Sequence, residues 1–176
     1  MQLTATIGRQ VISNWQRQGR QLEKDAKIAA RRAVNKTARW LIVQAARDVA
    51  SKHKLSVGAV KKQMRLQSAS GSNLTARLGV RIVGMNMIHA RGARQNNRGV
   101  RAGGKQYDGA FIATMPKTGK HGVFIRKTKD RLPIRQVTFP IFGGLRDFLR
   151  DALGDSAEAR LQETFDREFA YIRGQG

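Results

Sequence analysis

Three histidines, His53, His89 and His121, and twelve carboxylates are the side chains in this 176-residue chain whose types could do acid–base or metal chemistry. No two of the histidines stand at metal-ligand spacing, and cysteine is absent, so neither a thiolate metal site nor a disulfide framework can be built. Only five acids, Glu23, Asp25, Asp48, Asp108 and Asp130, precede residue 147, and they are widely separated. A nuclease needs two or more carboxylates converging on a metal. Asp108 and Asp130 could meet in space, yet nothing in their spacing argues for it. There is no Ser-His-Asp set, no P-loop and no GxGxxG cradle. His121, beside an apolar run, reads as an edge histidine. The sequence therefore points away from an enzyme: no catalytic residue, no metal and no cofactor are expected.

Charge is the strongest global feature. The chain carries 34 Lys and Arg against 12 Asp and Glu, a net +22. Residues 1–135 hold 29 basic residues against five acids (+24), and residues 136–176 hold five against seven (−2). A charge this large favours encounters with polyanions but dictates no fold. It fits proximity to nucleic acid, and it also fits a solvated basic surface or a like-charged assembly neutralised by an acidic partner. The first residues, MQLTATIGRQVISNW, lack the n-region and apolar run of a signal peptide. No window approaches the length of a membrane-spanning helix, so no membrane partner is expected and a soluble, cytoplasmic protein is the default.

The elements that must position these charges begin with one long helix over about residues 20–51. Leu22, Ala26, Ala29, Ala33, Thr37, Leu41, Ala45 and Val49 recur at three- and four-residue steps, one face of a 3.6-residue period. Its small alanines allow a second backbone to approach closely, with Val34 and Trp40 widening the stripe and Lys24, Lys27, Arg31, Arg39 and Arg47 opposite. Ser56 offers an N-cap for a short basic helix over 56–65, with Val57, Val60 and Met64 on one side. Long helix, turn and short helix invite a helix-turn-helix reading in which Lys61, Lys62 and Arg65 reach phosphate.

Residues 75–83 alternate as a half-buried strand, with Leu78, Val80 and Ile82 on one face and Arg77, Gly79 and Arg81 on the other. Residues 84–109 are rich in glycine and carry Arg91, Arg94, Arg98, Arg101 and Lys105. Such a segment buries little apolar surface, which predicts a long loop or arm ordered by a partner. Strand character returns at Ala110–Met115 and His121–Lys127, separated by a turn, and an extended segment runs from Pro133 to Pro140. Together these predict a largely antiparallel sheet of about four strands. Beyond Gly143-Gly144, the stripe Leu145, Phe148, Leu149, Leu153 and the stripe Ala157, Leu161, Phe165, Phe169 predict two helices parted at Gly154. The fold class expected is α+β: a long N-terminal helix packed on an antiparallel sheet of about four strands, with a C-terminal helical segment. Residues 1–143 form the basic α+β domain and 144–176 the acidic helical segment.

Several motifs in order resemble those of the phage minor tail protein Z family, the tail completion proteins of lambda-type siphophages. They are AVNKTARW (Ala33 to Trp40), the basic run Val60 to Leu66, YDGAFIA (Tyr107 to Ala113), GVFIR (Gly122 to Arg126), and RLPI (Arg131 to Ile134) with Pro140 downstream. The resemblance spans residues ~30–140. It implies a structural protein at the head-proximal end of the tail, acting as a hexameric ring on the tail axis. Its neighbours would be the tail terminator or tube on one side and head–tail connector proteins on the other. It further implies that Gly109, Phe111, Phe124, Arg126, Arg131, Leu132, Pro133 and Ile134 build a subunit joint; on charge, the basic residues Lys61, Lys62, Arg65, Arg91, Arg94, Arg98, Arg101 and Lys105 are the candidates to face the DNA channel. The acidic stretch 147–168 would meet a basic face of a neighbouring copy. A sequence-independent DNA-binding protein using 56–65 and 91–105 is the alternative reading. Within KHGVFIRKTKDRLPI, residues 120–134, Val123 and Ile125 alternate with Phe124 to give the strand two apolar faces, so the piece reads as scaffold hairpin before DNA contact.

Overall fold

The alanine stripe forms one face of α1 (Arg20–His53). In this computed structural model, residues 20–174 are described, apart from 117 and 131 and the side chains of 20 and 21. Ala29, Ala33, Thr37, Leu41, Ala45 and Val49 are fully buried, and Val34 joins them at 1 % exposure. Lys24, Lys27, Arg39 and Arg47 are exposed on the helix. The hydroxyl of Thr37, in the middle of the stripe, has no hydrogen-bond partner among the described residues.

The chain divides into two units. Among the described residues, the helical unit comprises 20–45, 64–80 and 146–174. In it, β1 (Met64–Gln67) pairs antiparallel with β2 (Arg77–Val80), from Met64↔Val80 to Gln67↔Arg77. Its core gathers Ala29, Ala33, Val34 and Ala38 of α1 with Ala69, Ala76, Leu161 and Phe165. The strand expected over 75–83 stops at Val80, where its partner β1 runs out. Ile82 is left 58 % exposed and Val83 75 %. After α3 (Phe142–Ala152), Gly154 caps α4 (Asp155–Arg173), which buries Ala157, Leu161 and Phe165 and half-buries Phe169, as the periodicity predicts. Phe165 and Phe169 stack at 5.5 Å.

The β unit comprises residues 46–63 and 81–145. The short helix α2 (Val57–Lys61) buries Val60. Three small sheets follow: β3 (Met85–Asn86) with β10 (Thr138–Phe139); a meander of β4 (Arg94–Asn96), β5 (Gly99–Ala102) and β6 (Lys105–Asp108); and a meander of β7 (Ala110–Thr114), β8 (His121–Arg126) and β9 (Ile134–Gln136). Every pairing is antiparallel. The fold is therefore α+β, with its strands divided among several small sheets. Apart from β3 with β10, the strands, two to six residues long, pair with their sequence neighbours, which keeps those sheets local.

The segment 84–109 differs most from expectation: it holds a short strand, a 3-10 turn and the β4–β6 meander in place of a long loop. Gly103 and Gly104 both take positive φ, +60° and +82°, the geometry of a two-residue type I′ hairpin turn. Val100 and Ala102 then bury completely on one face of β5, supplying the apolar surface that the glycine-rich composition masks.

Candidate subunit joint and nucleic-acid surface

The GAFIA and GVFIR motifs pair along the β7–β8 ladder, with Phe111 opposite Phe124, their rings 6.2 Å apart. Val123 and Phe124 are both buried, so β8 is covered on its two faces. Arg126 lies opposite Ile134 of RLPI, and its guanidinium sits 5.5 Å from the centroid of Phe111. A cation over a ring at such a site contributes about 0.5–1 kcal/mol. Beyond β8, Leu132 is 66 % exposed, Pro133 is exposed and Ile134 half-buried. Gly109 makes the corner between β6 and β7. Arg131 lies outside the described residues. The family-motif residues thus divide: Phe124 is core, Phe111 and Ile134 flank it, and Arg126, Leu132 and Pro133 reach solvent.

A residue that the sequence reading missed locks this sheet. The Asn86 amide donates to Val123 O at 3.1 Å and accepts from Val123 N–H at 2.8 Å, joining the Val137 N–H, which donates to the same oxygen at 2.9 Å. The approach requires Gly122, since a Cβ there would stand 2.9 Å from Asn86 Nδ2. The glycine of GVFIR was legible, but its partner lies 36 residues earlier with no local pattern to announce it. Asn35 of AVNKTARW does the same in the helical unit: its amide donates to Ala69 O at 3.0 Å and accepts from Ala69 N–H at 2.8 Å. The adjacent Lys36 pairs with the buried carboxylate of Glu168 on α4, which Arg32 also approaches at 3.6 Å. The AVNKTARW motif is thus a clamp within one unit.

The basic candidates fall into three places. Arg91, Arg94, Arg98, Arg101 and Lys105 are all exposed on or beside the β4–β6 meander. Arg94 stands directly opposite Arg101, and Lys105 opposite Ala102. Arg98, in the β4–β5 turn, pairs with Asp108 at 3.2 Å. Burial pushes the Tyr107 phenol, opposite Val100 on the closed face, above its ordinary value. Lys61 and Lys62 are exposed at the end of α2, in the same unit. Arg65 is exposed on β1, in the helical unit.

This placement corrects the helix-turn-helix reading. The second helix ends at Lys61 and Arg65 lies on a strand, so the expected basic helix over 56–65 is only five residues long. Met64 and Leu66 alternate along β1 opposite Val80 and Leu78, and that cross-strand pairing outweighs the helical spacing of Met64 with Val57 and Val60. Ser56 stands at the N-cap position without a side-chain capping bond.

Among the described residues, no group of three or more His, Cys, Asp or Glu could hold a metal ion, and no helix is long and apolar enough to cross a membrane. The family model described as prophage minor tail protein Z (GPZ) matches residues 12–172. No curated protein and no solved structure matches the chain.

Proposed function

Because the chain belongs to the prophage minor tail protein Z family, we propose that it completes the head-proximal end of the tail as a non-enzymatic ring around the DNA path. The observation that carries this reading beyond membership is the charge of the β unit: 18 Lys and Arg against three acids, a net +15. Two of those acids are already engaged by cations of the same unit, Asp48 by Lys52 and Asp108 by Arg98. Most of the positive charge is left for an outside polyanion. DNA in transit through a ring is such a partner, and neither needs nor benefits from sequence readout.

In this reading the ring is a hexamer, with the tail terminator or tube on one side and connector proteins on the other. Arg126, Leu132, Pro133 and Ile134 present the joint between copies, supported from behind by Phe111, Phe124 and Gly109. A neighbour's basic face receives the acidic stretch 147–168. Head-to-tail contacts of this kind are heterologous and close only if their rotation completes a circle. Lys61, Lys62, Arg91, Arg94 and Arg101 supply the channel surface, while Arg98, held by Asp108, and Lys105, opposite Ala102, lie outside it.

Electron microscopy of tails assembled without this protein tests the proposal. Tails that fail to join filled heads, or that join without a sealed junction, are expected; normal infectious particles would refute it. The second reading, a sequence-independent DNA-binding protein acting outside the particle, is favoured by the same charge. Purified virions separate the two, because only the first reading requires the protein in the particle.

A further inference from the structure

On the β4–β5–β6 meander the register sets Arg94 and Arg101 directly opposite each other, on one face of the ladder and both exposed. Directly opposed residues have Cβ atoms roughly 4.5–5.5 Å apart, and like charges there are destabilising. Neither guanidinium has an ion-pair or hydrogen-bond partner among the described residues, which contain every carboxylate of the unit. The one acid on the same face, Asp108, is held by Arg98.

The amides on the strands beside the pair are engaged, whereas Asn97 in the β4–β5 turn makes no side-chain hydrogen bond among the described residues. Asn96 Nδ2 donates to Gln106 Oε1 at 2.9 Å, and Asn96 Oδ1 accepts from the Arg98 and Gly99 N–H groups. Gln95 Oε1 accepts from Ile112 N–H at 2.9 Å. Asn and Gln are the side chains that read adenine edges when free, and on these strands Asn96, Gln106 and Gln95 are spent on fixing the turn and the ladder. The reverse face is closed by Val100 and Ala102, both 0 % exposed. What is left open is two rigidly based, unpaired guanidiniums, each a fork that matches phosphate geometry.

We infer that Arg94 and Arg101 form a phosphate-binding pair for the backbone of duplex DNA, contacting it without reading its sequence. The inference rests on the reading of the β unit as the DNA-path surface and narrows it to two residues. Lys105, opposite Ala102 on the other face, and Arg98, neutralised by Asp108, stand outside the contact.

The test is binding of the full chain to a short fluorescent duplex across a salt series. Each phosphate neutralised contributes about −0.9 to the slope of log K against log salt. R94A/R101A should flatten the slope by about 1.8, equally for duplexes of unrelated sequence, and R94K/R101K should restore it. R98A and K105A should leave the slope as in the wild type, and far-UV circular dichroism verifies the fold of each variant. An unchanged slope in R94A/R101A overturns the pair while the wider DNA-path reading stands on the remaining cations. No wild-type binding at ~50 mM salt overturns both. A loss that depends on duplex sequence, or polyglutamate displacing the duplex at equal charge concentration, also overturns the pair; the second outcome assigns the surface to an acidic protein.

Discussion

The sequence stretches of the helical unit hold 16 Lys and Arg against nine acids, and among the described residues five of those acids hold a cation of the same unit: Glu23, Asp147, Asp151, Glu163 and Glu168. The β unit carries 18 against three. Exposed ion pairs contribute little stability, 0–1 kcal/mol each, so the contrast matters less for folding than for what each surface offers a partner. A unit with bare, clustered cations is destabilised by its own repulsion. In the proposed function, a polyanion supplies the counter-charge that the short, turn-locked strands of this unit lack. The helical unit, +7 in net charge with most of its acids paired, is clamped by Asn35 and Glu168.

Breaking the cores probes this contrast most strongly. Phe124→Ala removes a buried ring from β8 and should cost about 3–5 kcal/mol in denaturant unfolding. Because the cation-bearing meander belongs to the same unit, DNA binding should fall with it; a loss below about 1 kcal/mol would remove Phe124 from the core of the account. On the other side, Asn35→Ala strands the N–H and C=O of Ala69, a residue only 5 % exposed. It should cost about 1–3 kcal/mol with the salt slope of DNA binding untouched. A changed slope would mean that the helical unit takes part in the contact.

Thr37→Val sharpens the comparison from the opposite direction. It replaces a buried, unpartnered hydroxyl with a methyl of similar shape and should raise stability by about 1 kcal/mol, read as a higher midpoint with the same m-value. The smallest effect concerns pH. The hydrogen bond and charge of Arg160, then the charge of Arg167, hold the Glu163 carboxyl below its ordinary value. Its contribution is therefore fully present above the ordinary value of 4.5 and is lost as pH falls through the lowered folded value. The α4 helix should loosen slightly on acidification, and Glu163→Gln should abolish that part of the pH dependence in a thermal melt.

Much of the helical unit was legible because its signal is periodic: every stripe position from Ala29 to Val49 is buried. The β7–β8 hairpin was legible for a different reason, contiguous β-branched and aromatic residues on either side of a turn. The meander was not. Its glycines suggest disorder when counted, whereas Gly103-Gly104, flanked by Val100, Ala102 and Tyr107, is a hairpin signal when read by position. The Arg94–Arg101 juxtaposition depends wholly on that register. Asn86 and Glu168 were invisible for a different reason: their partners lie 37 and 132 residues away in sequence.

The division of labour between the two units is tested most directly by matched neutralisation. One variant replaces three exposed cations of the β unit, Lys62, Arg94 and Arg101, with glutamine; the other replaces three of the helical unit, Lys24, Arg39 and Arg77. Both lose the same net charge, so only placement differs. The salt slope of duplex binding should flatten by up to about 2.7 in the first variant and stay at the wild-type value in the second; equal flattening in both would contradict the account.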